Sequence, residues 1–268
     1  MKKPLWKELG YPKPKSEASK GRLSFVENEI FSGITIPEMP CFVRLDGRCF
    51  HGFTKKLRFK EPYDEKFAGW VVETAKEFFI PFDPVLAYLF SDEINLLFLK
   101  RPGFERVEKI DSVLAGIASS KMLWSMGKKK GIESLSFDCR VIPVRKNEIQ
   151  KYLIWRQAEA WRNCNNAYAQ WVLLKSGKSP RSASRELSGL KIRELQRVMK
   201  KHGFDIGKTP AWQRRGILLY KESYKKKGYD PIKKKKVVVE RRRAKADWNP
   251  PLFNKGDGRK FLKRLLER

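Results

Sequence analysis

The stretches Cys41-Phe-Val-Arg-Leu-Asp-Gly-Arg48 and Leu86-Ala-Tyr-Leu-Phe-Ser-Asp-Glu-Ile-Asn-Leu-Leu-Phe-Leu99 decide how this chain folds. The first has the apolar run of a buried strand and ends in Asp46 and Gly47. The second has two apolar runs around a polar turn that contains Asp92, which is typical of a β-hairpin. Each stretch brings a carboxylate to a strand end. Two such carboxylates side by side suit Mg²⁺, although acids at strand ends also occur in ordinary surface turns.

The apolar periodicity around these stretches predicts two helices and a fourth strand. Residues 64–79 and 109–126 carry apolar side chains at helical spacing, and residues 134–142 alternate like a half-buried strand. The resulting order β-α-β-β-α-β is that of a ferredoxin-like α+β fold, which many polymerase palm domains share. Right-handed crossovers would place the first strand beside the hairpin, so we expect Asp46 and Asp92 to lie close together.

The formal net charge of +29 over 268 residues indicates a polyanionic partner. Nucleic acid is the first candidate, because Lys and Arg gain affinity by releasing condensed counterions, and an anionic membrane surface is the alternative. Residues 31–100 hold 9 basic and 10 acidic side chains, whereas residues 221–268 hold 18 basic and 6 acidic ones. This asymmetry fits a catalytic body joined to a polyanion-binding region, and a solvated basic tail is the plainer interpretation.

The sequence indicates neither a membrane segment nor a zinc site. No apolar run approaches the roughly 20 residues that span a bilayer, and the N-terminal residues lack the apolar core of a signal peptide. The four cysteines have no paired CxxC spacing and only two histidines are present, so we expect reduced thiols. These features predict a cytoplasmic protein.

The C-terminal part combines helices with basic segments. A long helix is predicted from Asn147 to about Lys175, and its Trp and Tyr residues are more typical of a core than of a base-stacking surface. A shorter helix is predicted over 191–201, followed by a hairpin of 216–220 and 236–240 with a Lys-rich connection. The tail mixes Arg241–Arg243 with Trp248 and Phe253, and basic runs with interleaved aromatics suit phosphates and single-stranded bases. The residues that we expect at RNA are Arg156, Asn163, Lys233, Lys234, Arg241 and Arg242.

An ordered set of motifs resembles the histidine-tRNA guanylyltransferase family, in its archaeal or guanylyltransferase-like branch. The motifs are Phe42-Val-Arg-Leu-Asp-Gly-Arg-Cys-Phe-His51, Tyr88-Leu-Phe-Ser-Asp-Glu93, Phe137-Asp-Cys-Arg140, Trp155-Arg-Gln-Ala-Glu159 and Pro210-Ala-Trp-Gln-Arg-Arg-Gly216. The resemblance implies 3′-to-5′ addition of nucleotides to a tRNA 5′ end. ATP or GTP activates the 5′-monophosphate, the 3′-hydroxyl of an incoming GTP displaces the activating group, and pyrophosphate is later removed from the new end.

The resemblance also implies site residues and partners. Asp46, the Gly47 carbonyl and Asp92 match ligands of two Mg²⁺ ions, and Glu93 is the adjacent catalytic acid of the family. The positions that match nucleotide and triphosphate contacts are Arg44, His51, Ser91, Arg106 and Lys109. The expected partners are tRNA and nucleoside triphosphates, and the implied assembly is a homotetramer. The expected organisation is an N-terminal arm (1–30), a catalytic palm (31–145) and a tRNA-binding C-terminal region (146–268).

One segment and one single residue depart from the family pattern. Eukaryotic members carry a His-Ile-Asn-Asn-Leu-Tyr-Asn segment where this chain has Trp161-Arg-Asn-Cys-Asn-Asn-Ala167, which favours template-dependent addition. The family also tends to have Lys before the proline at the entry of the first helix, and Glu61 stands there, after Lys60. A palm-type cyclic-dinucleotide synthase and a non-catalytic RNA-binding protein remain the alternatives, which the charge and the intact acids respectively disfavour.

Overall fold

A computed structural model describes residues 33–48, 50, 52, 57–127, 134–230, 232 and 234–267. Its first elements are β1 (Cys41–Gly47), α1 (Glu65–Lys76), β2 (Leu86–Phe90), β3 (Glu93–Phe98), α2 (Val107–Met126) and β4 (Phe137–Pro143). The predicted order of these strands and helices is confirmed. Helix α1 begins after Asp64, whose carboxylate accepts a hydrogen bond from the Phe67 amide at 3.0 Å.

Further elements complete the compact unit Thr35–Arg268. They are α3 (Ile149–Lys175), α4 (Pro180–Leu187), α5 (Ile192–Lys201), α6 (Ala211–Arg215), β5 (Ile217–Asp230), β6 (Lys235–Asp247) and α7 (Gly256–Leu266). Helices α3 and α5 confirm the two predicted helices of this part. The sequence analysis does not predict α4, α6 and α7.

The six strands form one antiparallel sheet in the order β4-β1-β3-β2-β5-β6. Strand β1 lies between β4 and β3, and Asp46 pairs across to Asp138 on one side and to Glu93 on the other. Strand β5 pairs with β2, so the C-terminal strands extend the sheet of the N-terminal strands. The predicted boundary at residue 145 therefore divides the sequence but not the sheet.

The predicted hairpin of 216–220 and 236–240 is wrong in its extent. Strands β5 and β6 contain 14 and 13 residues, and they pair from Leu218 with Asp247 to Asp230 with Lys235. Most of the supposed Lys-rich connection lies inside these strands, and so does Arg241–Arg243, which we expected in a tail. The outer part of this two-stranded ribbon faces solvent on both sides, so its sequence lacks the alternation that marks a half-buried strand.

Helices cover both faces of the central sheet. One apolar cluster packs α1 and α2 on the first face, through side chains such as Val71 and Leu114. A second cluster packs α3 and α7 on the other face, through side chains such as Leu153 and Leu262. Strands β2 and β3 are buried along their whole length. Burial on both faces explains why these strands read as continuous apolar runs.

The segment after β6 is part of the core and not a free tail. Phe253 is fully buried, and its ring centroid lies 5.6 Å from that of Tyr88 on β2. Its amide donates a hydrogen bond to Gln157 Oε1 at 2.9 Å, which ties the segment to α3. The expectation that Phe253 stacks on bases is therefore wrong, because the ring has no exposed surface.

The aromatic stripe of α3 is mostly core, as its spacing predicts. Tyr152 and Tyr168 are buried, whereas Trp155 is 52% exposed. Next to Tyr168, α5 packs Leu195 and Met199 against α3 in a third apolar cluster. In the part of the chain that the structure describes, no helix is both long and apolar enough to cross a membrane.

The described cysteines are free thiols, as expected. They are Cys41, Cys139 and Cys164. Burial raises the pKa of Cys41 to about 11, with a contribution from Glu38, and burial raises that of Cys164 to about 12. These thiols therefore remain protonated near neutral pH and behave as core side chains.

Candidate active site

Gly47 ends β1 and allows Asp92 to approach the backbone. A Cβ atom at position 47 would lie 2.5 Å from the Phe50 ring and 2.9 Å from Asp92 Oδ2. Any side chain there would have to displace the ring or the carboxylate. Asp46 precedes Gly47 and pairs with Glu93, the residue after Asp92. Asp46 and Asp92 thus lie at the same edge of the sheet, as their strand ends predict.

Asp92 is a half-buried carboxylate in the tight turn between β2 and β3. Ser91 adopts φ +51° there, and its hydroxyl donates to Asp92 Oδ1 at 2.9 Å. Burial raises the pKa of Asp92 to about 6; the Ser91 hydrogen bond opposes the rise, and the charge of Asp46 adds to it. A cation between the two carboxylates would offset both the cost of burying the ionised Asp92 and its repulsion by Asp46.

The oxygen atoms at this edge fit Mg²⁺ if substrate phosphates and water complete its coordination. Among the described residues, no group of three or more His, Cys, Asp or Glu side chains could hold a metal ion. Proteins usually hold Mg²⁺ with one or two carboxylates and leave the other positions to phosphates and water. The carboxylates of Asp46 and Asp92 and the carbonyl of Gly47 match that pattern.

Glu93 is paired inside the protein and is not free to bind a metal. Its carboxylate accepts from Arg156 Nε at 2.8 Å and from Arg156 Nη2 at 2.6 Å, and Asn95 donates to it at 2.8 Å. Tyr152 donates in turn to Asn95 Oδ1 at 2.7 Å. Burial raises the pKa of Glu93, whereas the bonds from Asn95 and Arg156 favour its ionised form. Glu93 therefore anchors α3 to the turn that carries Asp92.

Arg156 is not available for RNA, which corrects the prediction. Its side chain is 7% exposed, and it is committed to Glu93 in a bidentate ion pair. The position of Arg156 on a helix rich in aromatic residues correctly indicated a special role, but its partner is the internal carboxylate of Glu93 and not RNA. Sequence reasoning could not find this pair because 63 residues separate Arg156 from Glu93.

Arg44 lies on β1 two residues before Asp46, on the same face of the strand. Its guanidinium carbon is 6.0 Å from the Trp155 ring centroid, and that of Arg156 is 4.3 Å from the same centroid. The Nε atom of Arg44 is buried and has no hydrogen-bond partner among the described residues. Arg44 therefore keeps a donor and a positive charge near the carboxylates. The exposed ring of Trp155, which the core interpretation of the stripe missed, lies beside it.

Arg106 and Lys109 do not belong to this edge, which corrects their predicted position. Strand β3 starts with Glu93 opposite Asp46 and ends at Phe98, and α2 begins after the loop that follows. Five residue steps of about 3.3 Å place the two ends of β3 roughly 17 Å apart. Within one chain, Arg106 and Lys109 therefore lie at the opposite end of the sheet.

A cavity of about 400 Å³ opens beside Asp92, between α1, α3 and α6. Its polar lining includes Ser91, Asp92 and Asn163 from the predicted set, together with Lys60 and Glu61. Many of its walls are aromatic, among them Phe59, Tyr63, Trp171 and Trp212. The volume lies in the range of small-molecule pockets, and flat aromatic walls suit a planar base. Trp212 belongs to the Pro210–Gly216 motif, which was the only sequence signal for its role.

The remaining predicted residues lie on the ribbon or outside the described part of the chain. Lys234, Arg241 and Arg242 are exposed on the ribbon of β5 and β6. His51 and Lys233 are outside the described residues. The ribbon also carries a cation–π pair, since the guanidinium carbon of Arg243 is 5.1 Å from the Tyr224 ring centroid. Its basic and aromatic surface is therefore accessible to a large ligand.

Comparison with known families covers most of the chain. Residues 26–145 match the family model described as tRNAHis guanylyltransferase, and residues 147–251 match the Thg1 C terminal domain. The tRNA(His) guanylyltransferase of Debaryomyces hansenii is 30% identical over 244 residues, which cover 85% of this chain and 91% of that protein. A probable tRNA(His) guanylyltransferase of Dictyostelium discoideum is 32% identical over 216 residues, with 73% and 82% covered.

Solved structures agree with the sequence comparisons. A bacterial tRNA(His) guanylyltransferase (Thg1)-like protein in complex with ATP has a TM-score of 0.70 and 27% identity, covering 90% of this chain and 96% of that one. A bacterial Thg1-like protein in complex with GTP has a TM-score of 0.62 and 25% identity, with 88% and 93% covered. Two matched models that together span most of the sequence lead to one assignment: this chain belongs to the tRNAHis guanylyltransferase family of nucleotidyltransferases.

Proposed function

We propose that this protein adds guanosine to the 5′ end of tRNAHis, or refills 5′-truncated tRNAs, in the 3′-to-5′ direction and with the opposite strand as template. The observation that carries the proposal is the pair of carboxylates Asp46 and Asp92 at neighbouring strand ends, with Asp92 lining an aromatic cavity. Phosphoryl transfer is catalysed mainly by positioning and charge neutralisation, so such a site needs no covalent nucleophile. Relatives named tRNA(His) guanylyltransferase support the substrate.

We infer that the first four strands with α1 and α2 act as a ferredoxin-like polymerase palm. The strand order β4-β1-β3-β2 and the helix pair on one face support this inference. Asp46, the Gly47 carbonyl and Asp92 would hold two Mg²⁺ ions. Paired Mg²⁺ ions stabilise the attacking and leaving oxygens of a phosphoryl displacement.

The cavity beside Asp92 is the proposed position of the activating nucleotide. Its aromatic walls can stack on the base of ATP or GTP, and amide side chains such as Asn163 and Gln213 can meet the polar edge of the base. Solved structures of Thg1-like proteins with ATP and with GTP support nucleotide binding. Arg44, whose Nε has no partner among the described residues, is the proposed phosphate contact. His51 is a further proposed contact of the nucleotide.

The exposed ribbon of β5 and β6 is the proposed tRNA contact, with Lys233, Lys234, Arg241 and Arg242 as phosphate partners. A cyclic-dinucleotide synthase does not bind RNA and does not require such a basic arm. The arm therefore favours an enzyme that acts on RNA over that alternative. The implied tetramer and a cytoplasmic location stay predictions.

The segment 161–167 supports templated addition. Asn165 is fully buried; its amide nitrogen donates to the Trp161 carbonyl at 2.8 Å, and its oxygen accepts from Gln196 at 3.0 Å. Asn165 therefore cannot contact tRNA in place of the eukaryotic segment. Asn163 lines the cavity, where it meets the proposed nucleotide site. Asn163 and Asn166, which are only partly buried, stay the candidates of this segment for untemplated addition. We propose that base pairing with the opposite strand chooses the added nucleotide instead.

The proposal predicts how the discriminator base controls the reaction. Incubate 5′-monophosphorylated tRNAHis variants that differ only in that base with ATP, GTP and Mg²⁺, and measure 5′ extension. We expect efficient G addition opposite C and much poorer addition opposite A. Equal addition opposite both would refute templating but not the enzyme class. Asp46→Asn is the negative control: it should abolish addition and retain tRNA affinity, and near-normal turnover of this variant would refute the metal site.

A further inference from the structure

Helix α5 carries a row of basic side chains on the face that points away from the core. Arg193, Arg197 and Lys200 are exposed at spacings of four and three residues, so they lie on one side of the helix. Leu195 and Met199, on the other side, are 1% exposed and pack against α3. We name Arg193, Arg197 and Lys200 the α5 stripe.

The surroundings of the α5 stripe are also basic. Residues 175–208 contain ten Lys or Arg and three Asp or Glu. Two of the acids are engaged locally, because Glu186 pairs with Lys178 and Glu194 accepts from the Lys191 amide at 2.7 Å. Within the described residues, the stripe forms no ion pair with an acidic side chain. Its positive charge is therefore free for an external partner.

The position of α4 and α5 relative to the cavity suggests what that partner is. Leu174, at the end of α3, and Pro180, at the start of α4, line the cavity, whereas no residue of α5 does. Helix α5 follows α4 after four residues. A polyanion whose end reaches the cavity and that runs along α4 would therefore meet the stripe. Spacings of about 5–6 Å between stripe residues suit successive groups of a charged chain. In the described part of the chain, the exposed large apolar residues lie outside α4 and α5, so this surface lacks the anchors that a membrane contact would need.

We propose that the α5 stripe binds the phosphate backbone of the tRNA substrate at a distance from its reacting 5′ end, as a contact surface separate from the ribbon of β5 and β6. The proposal rests on the proposed function for the identity of the RNA. The contacts come from cationic side chains to phosphates, so they position the tRNA without reading its sequence. They should affect tRNA capture and leave the chemical step unchanged.

The test compares two triple variants with the same loss of charge. The first is Arg193→Gln, Arg197→Gln and Lys200→Gln, since Gln keeps the helix propensity. The control is Lys76→Gln, Lys100→Gln and Lys121→Gln, which lie outside the candidate active site and the proposed RNA contacts. For each, measure tRNA affinity against salt concentration, steady-state G addition to tRNAHis, thermal melting, and binding to vesicles that contain phosphatidylserine.

We expect the stripe variant to bind tRNA about tenfold more weakly, with a slope of log affinity against log salt that is smaller by about 2 to 3. Its KM for tRNA should rise while kcat is retained, and the control should change less than about twofold. Equal losses in both variants, an unchanged salt slope, or a loss confined to vesicle binding would overturn the proposal. If melting shows that the triple variant is unfolded, Arg197→Gln alone should reduce the slope by about 1.

Failure of this inference differs from failure of the proposed function. Wild-type protein that adds G and a stripe variant that binds tRNA normally would refute the stripe alone. Wild-type protein that binds tRNA through the stripe but adds no nucleotide would refute the proposed function alone.

Discussion

At the scale of single residues, the pair Glu93–Arg156 is the most consequential contact near the site. Both side chains are buried, and removal of one partner leaves an uncompensated charge in the interior. We expect Arg156→Met to lower the free energy of unfolding by about 3–5 kcal/mol, as measured by urea denaturation. The double variant with Glu93→Gln should recover much of that loss, because neither charge then remains buried.

The double variant also separates structure from catalysis. If Glu93 only anchors α3, the double variant should keep substantial G addition once it is folded. A single Arg156→Met variant that is fully stable yet inactive would contradict the anchoring role and return Arg156 to the reacting groups.

Asp92 should make stability depend on pH in a defined direction. Its pKa rises from 3.8 to about 6 on folding, so ionisation of this carboxyl opposes folding. The cost is absent well below the unfolded pKa of 3.8, where the carboxyl is protonated in both states. It is still small at about pH 4, grows up to about pH 6, and stays constant at higher pH. We expect metal-free Asp92→Asn to exceed wild type by about 2–3 kcal/mol at pH 8.

The control for this prediction is the same comparison at pH 4, where urea denaturation should show a much smaller difference between the two proteins. Mg²⁺ should then stabilise wild type and leave Asp92→Asn unaffected. A gap that is independent of pH would mean that the Asp92 carboxyl is not responsible.

At the scale of elements, the ribbon of β5 and β6 is separable from the fold. Ser223 and Arg242 pair directly across it, so residues 224–241 can be replaced by an Asn-Gly turn. The removed part contains no buried side chain among its described residues, and we therefore expect unchanged thermal melting. Affinity for tRNA should fall about tenfold, with a salt slope smaller by about 2 or more, because phosphate contacts are lost.

A charge-preserving variant controls for shape in the ribbon. Val238→Thr with Val239→Thr keeps the strand propensity and every charge of the ribbon. If this variant lost as much affinity as the shortened ribbon, apolar contacts rather than phosphate contacts would explain the binding.

At the scale of the whole molecule, the C-terminal segment and the N-terminal sheet should unfold together. Phe253 is fully buried between β2 and α3, so Phe253→Ala should cost about 3–5 kcal/mol and lower Tm by about 10 °C. Far-UV circular dichroism and Trp fluorescence should report the same shifted transition. The neighbouring Leu252→Ala, at a residue 38% exposed, should shift Tm far less. Separate transitions for the two halves would show that they are independent domains.

The sequence alone predicted the parts of the molecule that depend on local periodicity. The order of elements from β1 to β4 follows from apolar spacing, and the approach of Asp46 to Asp92 follows from strand ends in a right-handed topology. The family resemblance could also be read from the ordered motifs. Each of these features depends on a short stretch of sequence, so predicting it requires no knowledge of long-range contacts.

Only the tertiary structure decided which distant groups meet. Arg156 and Phe253 have the residue types of RNA contacts, yet packing of α3 and α7 on the sheet buries one against Glu93 and the other against Tyr88. Arg106 lies near Asp92 in sequence, yet β3 carries it to the opposite end of the sheet. A pattern reports the average environment of a residue, whereas its partner depends on how whole elements pack, and that information is not contained in any single stretch.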